Sequence, residues 1–143
     1  VTPKPKITLA EVDLESVGRL HPNSKHAAFW TPRTGKSAHW QCPRCRHTWP
    51  EAVKTITARK QGLRCPRCGI VPRRTYSLAA RRPDVVVAWH PTLNTPLTPD
   101  LVRAGDTISV WWNCTTCARP YQRTIRLRCA RSFPRCRACP PPR

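Results

Sequence analysis

Four Cys-x-x-Cys pairs, Cys42/Cys45, Cys65/Cys68, Cys114/Cys117 and Cys136/Cys139, fall into two couples, each with its second pair about twenty residues after its first. Each CxxC turn holds two thiolates on a tight knuckle, and two facing knuckles supply the tetrahedral shell that zinc accepts without ligand-field preference. Matched couples at this spacing read as two zinc sites rather than a disulfide framework, and a redox dithiol has no reason to occur four times in paired register. The expected cofactor is therefore two structural zinc ions. The ninth cysteine, Cys129, has no partner in this scheme and reads as a small, partly buried residue.

A 143-residue chain with 17 prolines and few large aliphatic side chains needs such staples. Self-similarity shows how it is divided. Leu9-Ala10 and Leu78-Ala79 each stand twelve residues before a His-Pro pair, His21-Pro22 or His90-Pro91. Thr31-Pro32 and Thr98-Pro99 follow, then Gly35 or Gly105, and Trp40 and Trp112 each sit two residues before the first cysteine of a knuckle. The period is about seventy residues. This gives a basic tail at 1–6, a first repeat at 7–69, a short linker at 70–76, a second repeat at 77–139 and a tail at 140–143. Cores of about sixty-five residues rarely stabilise themselves, so metal is expected to supply the difference.

Thr107 to Trp112 is β-rich, and from Tyr121 to Arg128 apolar side chains fall on alternate positions, so strand, knuckle and strand should form a hairpin. In that reading Tyr121, Ile125 and Leu127 point inward, while Arg126 and Arg128 point outward. In the first repeat Thr48 to Glu51 also fits a helical capping box, but the repeat favours a strand there too. Pro83 opens a helix expected to run to Trp89. Trp40 and Trp112 are candidate core residues; Trp111, on the opposite strand face, is left to pack against the other copy or to stack on a base. His47 is matched by Arg119 in the second repeat, so it is not expected to be a ligand. Glu11 and Glu15 read as the solvated face of a short helix. The fold class expected is small, zinc-stabilised α+β: two tandem zinc-ribbon or treble-clef-like repeats of short helices and β-hairpins.

Lysine and arginine total 26 against seven carboxylates, for a formal net charge of +19. Two zinc tetrathiolates subtract four from +19 and leave +15, which points to a polyanionic partner. No acidic residue follows Asp106 and no lysine follows Lys60, so the far half offers arginine alone. Arginine forks onto phosphate oxygens and onto the O6/N7 edge of guanine, which lysine does less selectively. Candidate nucleic-acid contacts are Lys54, Arg59, Arg119, Arg123, Arg126, Arg128, Arg131, Arg135 and Arg137. The arginines of the two CPRC knuckles are expected to lower the thiol pKa values.

The segments SLAARRPDVVVAWHPTLNTPLTP, VWWNCTTC and CRAC, with HWQCPRCRHTWP and CPRC in the first repeat, resemble a bacterial zinc-ribbon domain family. Its members repeat SLA, P, W, N, L-P, VWWxC, GHxW and CPxC. Tyr121 and Arg119 depart from its tryptophan and histidine, and the last loop lacks its glycine. That family is similar to treble-clef modules that accompany nucleases, and the resemblance implies a metal-stapled fold and DNA binding. It assigns no reaction.

A closed four-thiolate shell leaves no position for substrate, and paired carboxylates for a second metal are lacking, so an enzyme is not expected. The leading expectation is a zinc-dependent nucleic-acid-binding protein, on duplex DNA rather than RNA, acting as a regulator or targeting module. The alternative is a protein-interaction zinc module docking on a larger nucleic-acid machine. Without an apolar run suited to a signal or a membrane span, the expected location is cytoplasmic and nucleoid-associated.

Overall fold

The computed structural model describes residues 7–25, 29–130 and 136–139. The chain divides into two compact units, Val1–Arg73 and Arg74–Arg143. The first unit runs α1 (Leu9–Val12), α2 (Leu14–Val17), β1 (Ser37–Gln41), β2 (Thr48–Ala52), α3 (Val53–Ala58), β3 (Gly62–Cys65) and β4 (Gly69–Pro72). The second runs α4 (Leu78–Arg81), α5 (Pro83–Val86), β5 (Ser109–Asn113), β6 (Pro120–Thr124) and α6 (Ile125–Ala130), with 3₁₀ turns at Arg74–Tyr76 and Pro99–Leu101. No helix among the described residues is long and apolar enough to cross a membrane.

Both units are organised by an antiparallel hairpin whose tip is a cysteine knuckle. Trp40 pairs with Trp49 across β1–β2, and Trp112 with Tyr121 across β5–β6. Trp40 and Trp112 are fully buried, and each indole satisfies its one donor inside its own hairpin: Trp40 Nε1 donates to the Glu51 carbonyl at 2.9 Å, Trp112 Nε1 to that of Arg123 at 3.0 Å. Each tryptophan strand also carries a bridge on its other edge, from Leu20 to Trp40 and from Trp89 to Trp112. The second core gathers Leu78, Val85, Ala88, Val102, Val110, Trp112 and Ile125, with Trp89 edge-on to Trp112 at 5.5 Å.

The duplication extends to single backbone bonds. Leu9 N donates to Trp30 O and Leu78 N to Val102 O, both at 2.7 Å; Val53 N donates to Lys36 O and Ile125 N to Ile108 O, both at 3.1 Å. These bonds equate Trp30 with Val102 and Thr34 with Asp106, so the two Thr-Pro pairs that suggested the repeat are not structural equivalents. They also equate Cys129 with Thr57.

Three sequence expectations are corrected. The period-two run ends at Thr124: Ile125–Ala130 is helical, as is Val53–Ala58 in the first unit. A helix turns residues 125 and 128 to the same side, so Ile125 and Arg128 are buried while Leu127 is half exposed. The helix at Pro83 stops at Val86, where Val87, Ala88 and Trp89 turn to bring the backbone against β5. Residues 70–72 are no linker but most of β4, in register with β3. Gly62 faces this pairing so closely that a Cβ there would lie 2.4 Å from the Val71 carbonyl oxygen.

Arg73, just past β4, ties the end of the first unit to its beginning. Its guanidinium forks onto Asp13 at 2.9 and 3.0 Å, and both side chains are largely buried. Ser16 Oγ adds a third donor to Asp13 at 2.6 Å. Burial pushes the Asp13 carboxyl up, but hydrogen bonds from Arg73 and Ser16 outweigh it and hold the group below its ordinary value. Asp13→Asn is expected to cost about 1–3 kcal/mol in chemical unfolding at neutral pH. A lowered folded pKa gives stability that is complete above the unfolded carboxylate pKa and is lost as pH falls through the folded one. The deficit of the variant relative to wild type should therefore shrink on acidification, and a pH-independent deficit would count against the ion pair.

Candidate metal centres

A CxxC knuckle needs its chain to reverse immediately after the second cysteine. Arg46, Gly69 and Ala118, each following such a cysteine, take positive φ of 63°, 88° and 59°. Two of the three are not glycine, a local cost that the knuckle geometry imposes. The amide of the first cysteine then closes the hairpin tip: Cys42 N donates to His47 O and Cys114 N to Arg119 O, both at 2.9 Å.

In the first unit, Cys42 and Cys45 lie at the tip of β1–β2, while Cys65 and Cys68 lie at the tip of β3–β4. Cys42 Sγ is 3.5 Å from Cys68 Sγ, and Cys45 Sγ is 3.6 Å from Cys65 Sγ. In the second, Cys114–Cys139, Cys117–Cys136 and Cys136–Cys139 sulfurs are 3.3, 3.5 and 3.5 Å apart. Within each group all four sulfurs lie within 4.8 Å of one another. A tetrahedron with Zn–S bonds of about 2.3 Å has edges of about 3.8 Å. Disulfides would need sulfurs at about 2.05 Å. The donor set and spacing fit two structural zinc ions, each held by four thiolates.

Burial, backbone amides and neighbouring sulfurs together set the thiol titration. In the first group burial pushes Cys42 up to about 12, whereas Cys45, despite its own burial, is held at about 7 by the His47 amide and neighbouring thiols. In the second, amides of Cys136, Cys117 and Thr116 overcome burial to bring Cys114 down to about 5, and the adjacent sulfurs push Cys139 up to about 12. Each group thus pairs a readily ionised thiol with a reluctant one, and a dication takes the place of the shared protons. The expectation that the CPRC arginines depress the thiols is not met at Cys68. Arg44 donates to the Cys68 carbonyl at 2.6 Å and does lower that thiol, but burial raises it more.

His47 stacks on Trp49, centroids 6.1 Å apart, and Cys129 is half-buried away from both groups, with burial raising its thiol pKa. The basic residues separate into classes that sequence did not distinguish. Lys54, Arg119, Arg126 and Arg137 are exposed. Arg59 is paired with Glu51 at 2.7 Å. Arg123 is half-buried, with its guanidinium 5.9 Å from the Tyr121 ring centroid. Arg128, expected on the outer row, is 5% exposed and lies 5.6 Å from the Trp112 ring, so it is removed from the candidate contacts. Arg131 and Arg135 lie outside the described residues.

A family model described as "Probable Treble clef zinc finger domain" matches residues 18–70 and 85–142. A search of curated proteins finds no match. Each matched segment contains one complete thiolate group, so native mass spectrometry should find two zinc ions per chain, with Cys129→Ser retaining both and Cys65→Ser retaining one. Loss of an ion from Cys129→Ser would show a wrong ligand set. With the knuckles, the sulfur geometry and both matched segments in agreement, the chain belongs to the treble-clef zinc finger family, of which it carries two tandem copies.

Proposed function

We propose that this protein binds nucleic acid, duplex DNA in preference to RNA, and works on the nucleoid as a regulator or targeting module without catalysis of its own. The observation that carries the reading is a groove of about 500 Å³ on the second unit, lined by Ser109, Tyr121, Gln122, Arg123, Thr124, Leu127 and Arg137. No carboxylate lines it among the described residues. Two arginines, two aliphatic hydroxyls and an amide supply donors of the kind that phosphate and sugar oxygens accept. The Tyr121 hydroxyl is buried with no partner among the described residues. Arg119 and Arg126 are exposed on the same hairpin and the helix that follows it, extending the positive charge beyond the groove. The metal is structural in this reading: it holds the hairpin and the Arg137 loop in place.

If about six phosphates are neutralised, log affinity for an arbitrary duplex should fall with log salt at a slope near −5, on the order of a thousandfold between ~50 and ~200 mM. Arg123→Ala with Arg137→Ala, checked to retain two zinc ions, should weaken binding and reduce the slope by about 2. Lys4→Ala with Lys6→Ala removes the same charge from the N-terminal segment and serves as control. Should the groove variant bind like wild type while the control loses most affinity, the groove is not the recognition surface. A stoichiometric, salt-insensitive protein partner would instead support the docking module.

A further inference from the structure

The second unit carries another pair of arginines, outside the lining of the groove just described and each held on one edge. Tyr76 closes the 3₁₀ turn Arg74–Tyr76, and Arg81 ends α4. The Arg81 guanidinium carbon stands 4.8 Å from the Tyr76 ring centroid, and its Nε donates to the Thr75 carbonyl at 2.9 Å. Arg103 is held from the other side: Nε and one terminal nitrogen reach Asp106 Oδ1 at 3.1 and 3.0 Å, while the Arg103 amide donates to Oδ2 at 2.9 Å. Tyr76, Arg81 and Arg103, with Ala104 and Gly105, line one concavity of about 430 Å³. A Cβ placed on Gly105 would meet nothing within 4 Å, so the floor is open.

The scaffold does not require these side chains, as the first unit shows. By the backbone bonds that align the repeats, the counterparts of Tyr76 and Arg81 are Ile7 and Val12, both more than half exposed. The counterparts of Arg103 and Asp106 are Thr31 and Thr34. The turn closes identically without the ion pair, Thr34 N to Thr31 O and Asp106 N to Arg103 O, each at 3.1 Å. Side chains dispensable to the fold, yet fixed in orientation around one hollow, have already given up the rotamer freedom that an arginine otherwise loses on binding. Their planar forks suit a tetrahedral oxyanion.

We propose that Arg81 and Arg103 form a second phosphate-binding subsite, oriented by Tyr76, Thr75 and Asp106, that takes a phosphate of the nucleic-acid backbone. The source of the phosphate rests on the nucleic-acid reading above; the oxyanion chemistry does not.

The test uses the full, zinc-loaded chain, following the arginine Nε–Hε resonances during separate titrations with inorganic phosphate and with a short mixed-sequence duplex. Both probes should shift Arg81 and Arg103. Arg81→Lys keeps the charge but loses the fork, so duplex affinity should drop about five- to tenfold at an unchanged salt slope. A duplex that binds without moving either arginine, and binds Arg81→Lys as tightly as wild type, overturns the subsite and leaves the nucleic-acid reading standing. Phosphate shifting both arginines while no duplex binds would keep the subsite as a site for free phosphate and overturn the nucleic-acid reading. Silence with both probes overturns both.

Discussion

Each unit depends on one interaction, the convergence of two knuckles on a single set of four sulfurs. Neither hairpin of the first unit has an extensive core of its own: β3–β4 is four residues a side, and an isolated two-stranded hairpin is marginal in water. Joining the tips of two hairpins through metal–sulfur bonds fixes their mutual geometry. That geometry lets the short helix between them, α3, lay Val53 and Ile56 into the core. Where structural zinc supplies most of the folding free energy, the protein core can be small and still be unique. Trp40 and Trp112, two residues before the first ligand of each site, connect the metal to that core: each indole is buried and bonded to the opposite strand.

The two copies keep this frame and exchange the chemistry around it. Asp13 in the first copy receives Arg73, whereas its counterpart Arg82 forks onto Asp84 and donates to the Cys129 carbonyl at 2.9 Å. Ile56 becomes Arg128, a cation against the Trp112 ring with its Nε unpaired among the described residues. Ile7 and Val12 become Tyr76 and Arg81. The backbone bonds that define the fold are indifferent to these changes because they run between strand edges and helix ends, not through the exchanged side chains. The second copy is thereby freed to accumulate arginine while the first retains most of the carboxylates.

The metal ligands were legible in the sequence because thiolate pairs at fixed spacing have few other uses, and the tryptophans because a repeat places both at the same offset from a knuckle. The switch from strand to helix at Thr124/Ile125 was not legible. Six residues of period two, Tyr121 to Arg126, continue into Leu127 without any glycine or proline to mark a boundary, and α6 is too short to display its own period against that run. That misreading moved Arg128 to the surface and left the arginines undifferentiated. The role of Arg73 was hidden for another reason: its partner Asp13 is sixty positions earlier, and a basic, proline-containing stretch between repeats looks like a linker until β4 is seen to pair. Long-range ion pairs leave no local pattern.

Charge and metal are coupled more closely than either is alone. The second unit contains twelve arginines and three aspartates; two of those aspartates are bound to arginines two or three residues away, Arg82 to Asp84 and Arg103 to Asp106. Beyond Asp106 the only anions the fold can supply are the thiolates themselves, which as a zinc tetrathiolate carry −2 in total. A compact unit with this much arginine repels itself, and the repulsion opposes folding. Placing compensating negative charge in the metal shell, with Cys114 and Cys136 buried, offsets part of that repulsion from within, while only Asp84 and Asp100 among the described carboxylates of this unit are exposed. The remaining repulsion is open to relief by anions from outside, so the polyanion proposed above, if it spans the exposed arginines, would stabilise the same folded state that four thiolates around zinc assemble.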